Sequence, residues 1–269
     1  MNAVNMALKP KKDTLIEWAK TTWNPTSGCT KVKGCADCMN CYAEKVAMDL
    51  QARGKPSYKD GFKPTIQGHR LKQPFGYEKP SIIFVNSMSD LFHEDFPVSY
   101  LKSVFEVMNK CSHHQFLILT KRPERALELS SEFIWSENIW MGTSVGTNGR
   151  IPQIEFLKQI PARIKFISYE PLLTKLVDHN LEGIDWAILG GESPGIHGMR
   201  PSSLESFTSL IDICDRDGVA IFVKQLGGRL GWEYGMMKNG KPDMKGGDYS
   251  KFPEILKRRE FPIDVSKYL

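Results

Sequence analysis

The stretch SIIFVNSMSDLFHEDFP, residues 81–97, decides the fold. Its opening run, Ser81 to Val85, is apolar, β-branched and too short for a helix. Polar residues follow at once: Asn86, Ser87, Ser89 and Asp90. Such a run reads as a strand covered on both faces, with a working loop at its carboxyl end. The pattern recurs downstream. QFLIL at 115–119 leads to Lys121 and Arg122, and NIWMGTSV at 138–145 carries Ser144. RIKFI at 163–167 leads to Glu170, and DWAIL at 185–189 to Gly190, Gly191 and Glu192. VAIFV at 219–223 ends at Lys224 and Gln225. Upstream, LIEWAKTTWN from Leu15 reads as one more strand, turning at Asn24–Pro25 and Ser27–Gly28. Seven candidate strands thus alternate with helical stretches such as 98–111, 154–160 and 203–218. The spacing predicts an α/β fold, a single-domain (βα) barrel or partial barrel with parallel strands, over residues 15–228. Residues 1–14 read as a flexible N-terminal tail, and 229–269 as a C-terminal extension without a core of its own. In this architecture the carboxyl ends of the strands form the ligand-binding face, and the polar residues sort to that end.

Composition narrows the function classes. With 41% hydrophobic and 25% charged residues, the 269-residue chain is neither disordered nor fibrous. No apolar run is long enough to span a bilayer, and MNAVNMALKPKKD lacks the apolar core of an export signal. The expectation is a cytoplasmic protein with no membrane partner. A net charge of +5 permits contact with a polyanion without demanding it, because part of the excess sits in KPKK and in KRR at 257–259.

Four of the six cysteines crowd into the loop 29–41, as Cys29-x5-Cys35-x2-Cys38-x2-Cys41, between the first strand and a helix over 41–54. In a chain without an export signal, such crowding argues for a metal or cluster and not for disulfides. Zinc usually takes two knuckles a dozen or more residues apart. One tight run is closer to iron–sulfur usage, although four thiolates also leave zinc open. Cys111 and Cys214 stand alone among apolar residues and read as small core residues.

TTWNPTSGCTKV, CYAEKVA, IFVNSMSDLFHEDFP, FLILTKRPER, WMGTSV, FISYEPLL, WAILGGES and FVKQLGG, in this order, resemble the phage-associated three-cysteine-motif proteins, a radical-SAM-like family of unknown function. The resemblance covers roughly Ile16 to Gly228. It implies an incomplete (βα) barrel carrying a 4Fe–4S cluster held by three cysteines. The fourth iron would bind the amino and carboxylate groups of S-adenosylmethionine (SAM). One electron would cleave the sulfonium, and a 5′-deoxyadenosyl radical would take hydrogen from a substrate. An electron donor is therefore implied. Phage association suggests a nucleic acid or nucleotide as that unidentified substrate. Aligning on Cys41-Tyr42-Ala43 assigns the metal ligands as Cys29, Cys38 and Cys41; aligning on Gly34-Cys35 favours Cys35, as an alternative or as a fourth ligand. Two more features depart from expectation. GGESPGIHGMRP is longer than the family's usual block and shifts Arg200, and its GGE follows the sixth strand where ordinary radical SAM enzymes carry it after the second.

The strand ends supply the remaining candidates. Asp90, Ser144, Glu170, Gly190, Gly191 and Glu192 are candidate cofactor-binding residues: carboxylates suit an ammonium or a ribose diol, and a serine suits a ribose hydroxyl. Asp90, Lys121, Glu170 and Lys224 are the catalytic candidates. Asp90 alternatively caps the following helix, His93 is a further site candidate, and Lys121 with Arg122 either holds an anion or forms a solvated rim pair. Glu170, behind a buried strand, is expected to pair with a neighbouring Lys or Arg or with ribose. Trp23 is expected to pack the cysteine loop, and His113–His114 to be structural. The competing reading is a non-catalytic iron–sulfur or zinc protein that binds nucleic acid.

Overall fold

The computed structural model describes residues 4–5, 14, 16–193 and 198–269. Most of the tail expected at 1–14 lies outside the described residues, as do residues 194–197 of the lengthened GGES block.

Seven strands form one sheet: β1 (Thr21–Trp23), β2 (Ile82–Val85), β3 (Gln115–Thr120), β4 (Ile139–Ser144), β5 (Ile164–Tyr169), β6 (Trp186–Gly190) and β7 (Ala220–Gln225). They lie in chain order, each parallel to the next, and β1 and β7 form the two edges. The sheet curls. Trp18, just before β1, touches Trp186 of β6 at a ring separation of 6.2 Å. In a flat sheet, strands five places apart would be about 24 Å from each other. The result is a half-barrel.

Alternation along each strand builds two apolar layers. Ile83, Val85, Phe116, Ile118, Met141 and Ile167 face outward and pack on the helices. These are chiefly α2 (Val98–Lys110), α4 (Gln153–Gln159) and α5 (Leu204–Asp217). Phe84, Leu117, Trp140, Phe166, Trp186 and Phe222 face inward and fill the floor of the half-barrel. Gly142 is required there, since a Cβ on it would lie 2.5 Å from the Phe166 ring. Residues after 229 add to both layers. Met236, Phe252 and Leu256 join the outer one, and Phe261, Val265 and Tyr268 the inner one. Phe261 stacks on Trp186, and Val223 N–H of β7 donates to Arg258 O at 2.8 Å.

Seven strands were expected, and seven form. The first is shorter than LIEWAKTTWN suggested, because Trp18 and Ala19 turn inward to cap the floor before pairing begins. A short helix α3 (Pro123–Glu128), not foreseen, follows β3. Helix α1 (Tyr42–Ala52) follows the cysteine loop, as its periodicity predicted. Among the described residues no helix is long and apolar enough to cross a membrane.

Candidate active site

Each strand's period of two carries the inner face upward from floor to rim. Leu119, Lys121, Ser144, Ser168, Glu170 and Lys224 therefore point above the aromatic floor into one cavity of about 1220 Å³. The cysteine loop lies across its mouth. It leaves β1 through Gly28, whose φ of 79° and lack of a Cβ are both needed, since a Cβ would sit 2.0 Å from Lys63 O. Gly28 N–H donates to Met88 O and Cys29 N–H to Phe62 O. Further along, Asp37 Oδ2 accepts from Gly146 N–H after β4 at 3.0 Å, and Arg200 Nη1 after β6 donates to Ala36 O at 3.1 Å. The loop is thus pinned to strand ends on both sides of the half-barrel.

Cys29, Cys38 and Cys41 line the cavity. Cys35 is buried and does not. The Cys35 thiol donates to the Cys38 sulfur, and this bond, with Lys121 nearby, lowers the Cys38 pKa to about 7. Burial, reinforced by Asp90, pushes Cys29 up to about 11, although Arg122 Nη1 lies 3.5 Å from its sulfur. Burial works against the Lys121 ammonium, but Cys38, Asp37 and Cys35 outweigh it and hold its pKa above the ordinary value. A cation thus stands over the cysteines, donating to Ser144 Oγ at 3.1 Å.

The strand-end candidates converge, but most are already engaged. Asp90 and Glu192 line the cavity but are buried, at 6% and 3% exposed. Asp90 accepts from Thr120 Oγ1 (2.6 Å), Lys121 N–H (2.9 Å), Phe92 N–H (3.1 Å) and Arg122 Nη1 (3.4 Å). It caps no helix: α2 starts at Val98 behind Pro97. Arg122, expected as a possible rim residue, is instead a brace joining Asp90, Glu94 and Thr30 O. Glu192 is held by Arg200, through its backbone N–H at 2.6 Å and its guanidinium. Glu170 pairs with Lys224 at 2.9 Å and accepts from Ser168 Oγ at 3.1 Å.

The two glycines are demanded by the protein itself. A Cβ on Gly190 would lie 2.3 Å from Glu170 Oε1, and one on Gly191 2.3 Å from Leu226 O. His93 does not face the cavity. It is buried, held below its ordinary pKa by burial and by Arg122, and contacts Thr30 Oγ1 at 2.7 Å. Trp23 packs the outer layer against Phe116, away from the cysteine loop, with Nε1 donating to Arg70 O. Both His113 and His114 lie at the opposite end of the sheet, beside Tyr77.

Two residues escaped the sequence reading. Asp37 is 5% exposed, lines the cavity and keeps Oδ1 without a hydrogen-bond partner. Burial raises its pKa, against the pull of Lys121 and the Gly146 N–H. Nothing local marked it among the cysteines. Ser168 was legible, two residues before Glu170 on the same inward face. Among the described residues, no three His, Cys, Asp or Glu side chains converge on a single-ion site.

A family described as "Protein of unknown function (DUF5131)" matches residues 13–253, and the chain belongs to that family. No curated protein and no solved structure matches the chain.

Proposed function

We propose that the chain is an iron–sulfur enzyme of the radical SAM type, with Cys29, Cys38 and Cys41 as cluster ligands. One observation carries the reading: these three cysteines line a single cavity at the carboxyl ends of a parallel half-barrel, and the fourth, Cys35, does not. A lone zinc needs its sulfurs about 2.3 Å from one point. Three thiols that line one cavity without converging on a single-ion site would suit a bulkier 4Fe–4S group. Bound there, such a group would supply one electron for cleaving the sulfonium carbon–sulfur bond of SAM.

The protein's own residues do the rest. Lys121 offsets the charge of the thiolates. Arg122 orients Cys29 and ties its loop to Asp90. Asp37, whose buried Oδ1 has no hydrogen-bond partner, is the carboxylate that would turn to the SAM ammonium, in place of the occupied Asp90 and Glu192. Ser144 and Ser168 line the cavity with hydroxyls that suit a ribose. The aromatic floor keeps water from a reactive intermediate. Lys224 and Glu170, joined above that floor, remain candidates for holding or moving a proton.

The test is anaerobic purification and reconstitution, iron and sulfide analysis, and incubation with SAM and dithionite. The expected result is a brown protein, bleached on reduction, that releases 5′-deoxyadenosine and methionine. A colourless protein with stoichiometric zinc after reconstitution overturns the reading in favour of a non-catalytic metal protein.

A further inference from the structure

We infer that the cavity admits one base of a single-stranded nucleic acid, with the flanking phosphates held by Lys238, Lys241 and Lys245. As an account of the substrate this rests on the enzyme reading above; as an account of binding it stands on separate geometry. A hairpin follows β7. Its arms, Met237–Lys238 and Lys241–Pro242, pair antiparallel, and Asn239 and Gly240 turn it with φ of 52° and 72°. Its base is fixed to the end of β7: Leu226 N–H donates to Gly246 O at 2.9 Å and Gly227 N–H to Lys245 O at 3.0 Å. The approach is close, since a Cβ on Gly231 would lie 2.6 Å from the Gly246 Cα. A firmly seated hairpin thus presents three lysines to the cavity's mouth. Among the described residues none of the three ammonium groups has an ion pair or a hydrogen bond. Asp243 lies among them, its carboxylate taken by the Lys245 and Gly247 N–H groups, so the segment keeps a net charge of about +2 that favours a further anion.

In the cavity wall the protein leaves three buried polar atoms unpaired. Trp18 Nε1, Asn86 Oδ1 and Gln225 Oε1 have no partner, although their residues are only 1%, 2% and 1% exposed. All three residues line the cavity, beside the apolar faces of Phe84 and Leu119. Buried groups left so cost free energy, and a small turn of these side chains toward a ligand in the cavity would satisfy them. One donor and two acceptors against apolar walls suit the edge of a planar heterocycle. At about 1220 Å³ the cavity exceeds the ~300–1,000 Å³ of a typical single-ligand pocket, which leaves room for a base beside SAM. A base stacked in a duplex cannot reach the aromatic floor, so the strand must be single or locally opened.

Anisotropy of a short fluorescent single strand, titrated with the anaerobically purified full chain without SAM or reductant, tests this. The variant Lys238→Ala/Lys241→Ala/Lys245→Ala should bind about tenfold or more weakly. Its plot of log affinity against log salt should be shallower by about 2, at about 0.7 for each phosphate no longer neutralised. Its melting temperature should match wild type, because the three side chains support nothing. An abasic strand of equal length should also bind about tenfold more weakly. Wild type that ignores the strand at low salt, a triple variant that binds as wild type, or an abasic strand or polyphosphate that binds equally well would each overturn the inference. A mononucleotide competing as well as the strand at equal phosphate would assign the site to free nucleotides and overturn it also. A protein that binds the strand but stays colourless with stoichiometric zinc after reconstitution would sink the enzyme reading alone; a cluster-loaded protein that cleaves SAM yet ignores the strand would sink this one alone.

Discussion

Asp90→Asn changes one atom and should destabilise the fold more than it weakens SAM binding. In the native chain Oδ1 takes the Thr120 hydroxyl and the Phe92 N–H, while Oδ2 takes the Lys121 N–H and Arg122. An asparagine can keep its oxygen on the first pair. Its NH2 then faces two donors in a buried site. A hydrogen bond to a charged acceptor is worth about 1.5–3 kcal/mol. The Lys121 bond counts in full and the longer Arg122 bond only in part, which gives about 3 kcal/mol. At about 2–4 °C per kcal/mol for a large domain, the melting temperature should fall by about 6–12 °C. Melting followed by tryptophan fluorescence measures this, since Trp18, Trp140 and Trp186 lie in the floor below the site. SAM titration of reconstituted protein, well below the melting range, supplies the comparison. If melting shifts by less than about 2 °C while SAM affinity falls tenfold, Asp90 touches the cofactor and the bracing argument is wrong.

Cys29→Ala, Cys38→Ala and Cys41→Ala should each abolish the visible absorption of the reconstituted protein, whereas Cys35→Ala should keep most of it; equal loss in Cys35→Ala would mean four protein ligands. In the metal-free protein, Cys38 should alkylate with an apparent pKa below that of an ordinary thiol, and Cys35→Ala should move that pKa up, as mass spectrometry against pH would read. His93 has its pKa held below the ordinary 6.5, so the unfolded chain binds the extra proton first. Its contribution to stability is therefore full above pH 6.5 and is lost as pH falls toward the folded value; urea midpoints across that range should drop less in His93→Gln. Breaking the Glu170–Lys224 pair by Lys224→Met should cost about 3–5 kcal/mol, and Glu170→Leu/Lys224→Met should recover much of it, as urea titrations would show.

The strands were legible because each is a continuous apolar run, which a sheet covered on both faces requires. The inward set at the strand ends was legible for the same reason, and it does converge on one cavity. Which of those groups are free was not legible. That depends on contacts between residues far apart in the chain: Arg122 with Thr30, Arg200 with Ala36, Asp37 with Gly146. Periodicity carries no information on such pairs. Helix α3 was missed because its six residues are fewer than two turns and start at a proline, so no apolar repeat could show. The segment after β7 looked coreless because its apolar residues are sparse; they are buried by joining layers that earlier strands had already built.

The chain order of the strands bears on how the fold is made. Each new strand finds its partner in the one before it, so the sheet can grow outward as the chain emerges from a ribosome, each parallel step closing one crossover. Growth of this kind always leaves one unpaired edge, and an open edge of apolar strands recruits other chains. The edge of β7 is quenched only when residues 258–261 settle against it, with Val223 bonded to Arg258 and Phe222 bridged to Arg259. A chain stopped before Arg258 would hold nearly the whole half-barrel and most of its cavity. It would also present Phe222 and Trp186 without the Phe261 that covers them, and would be expected to aggregate more readily than the full chain.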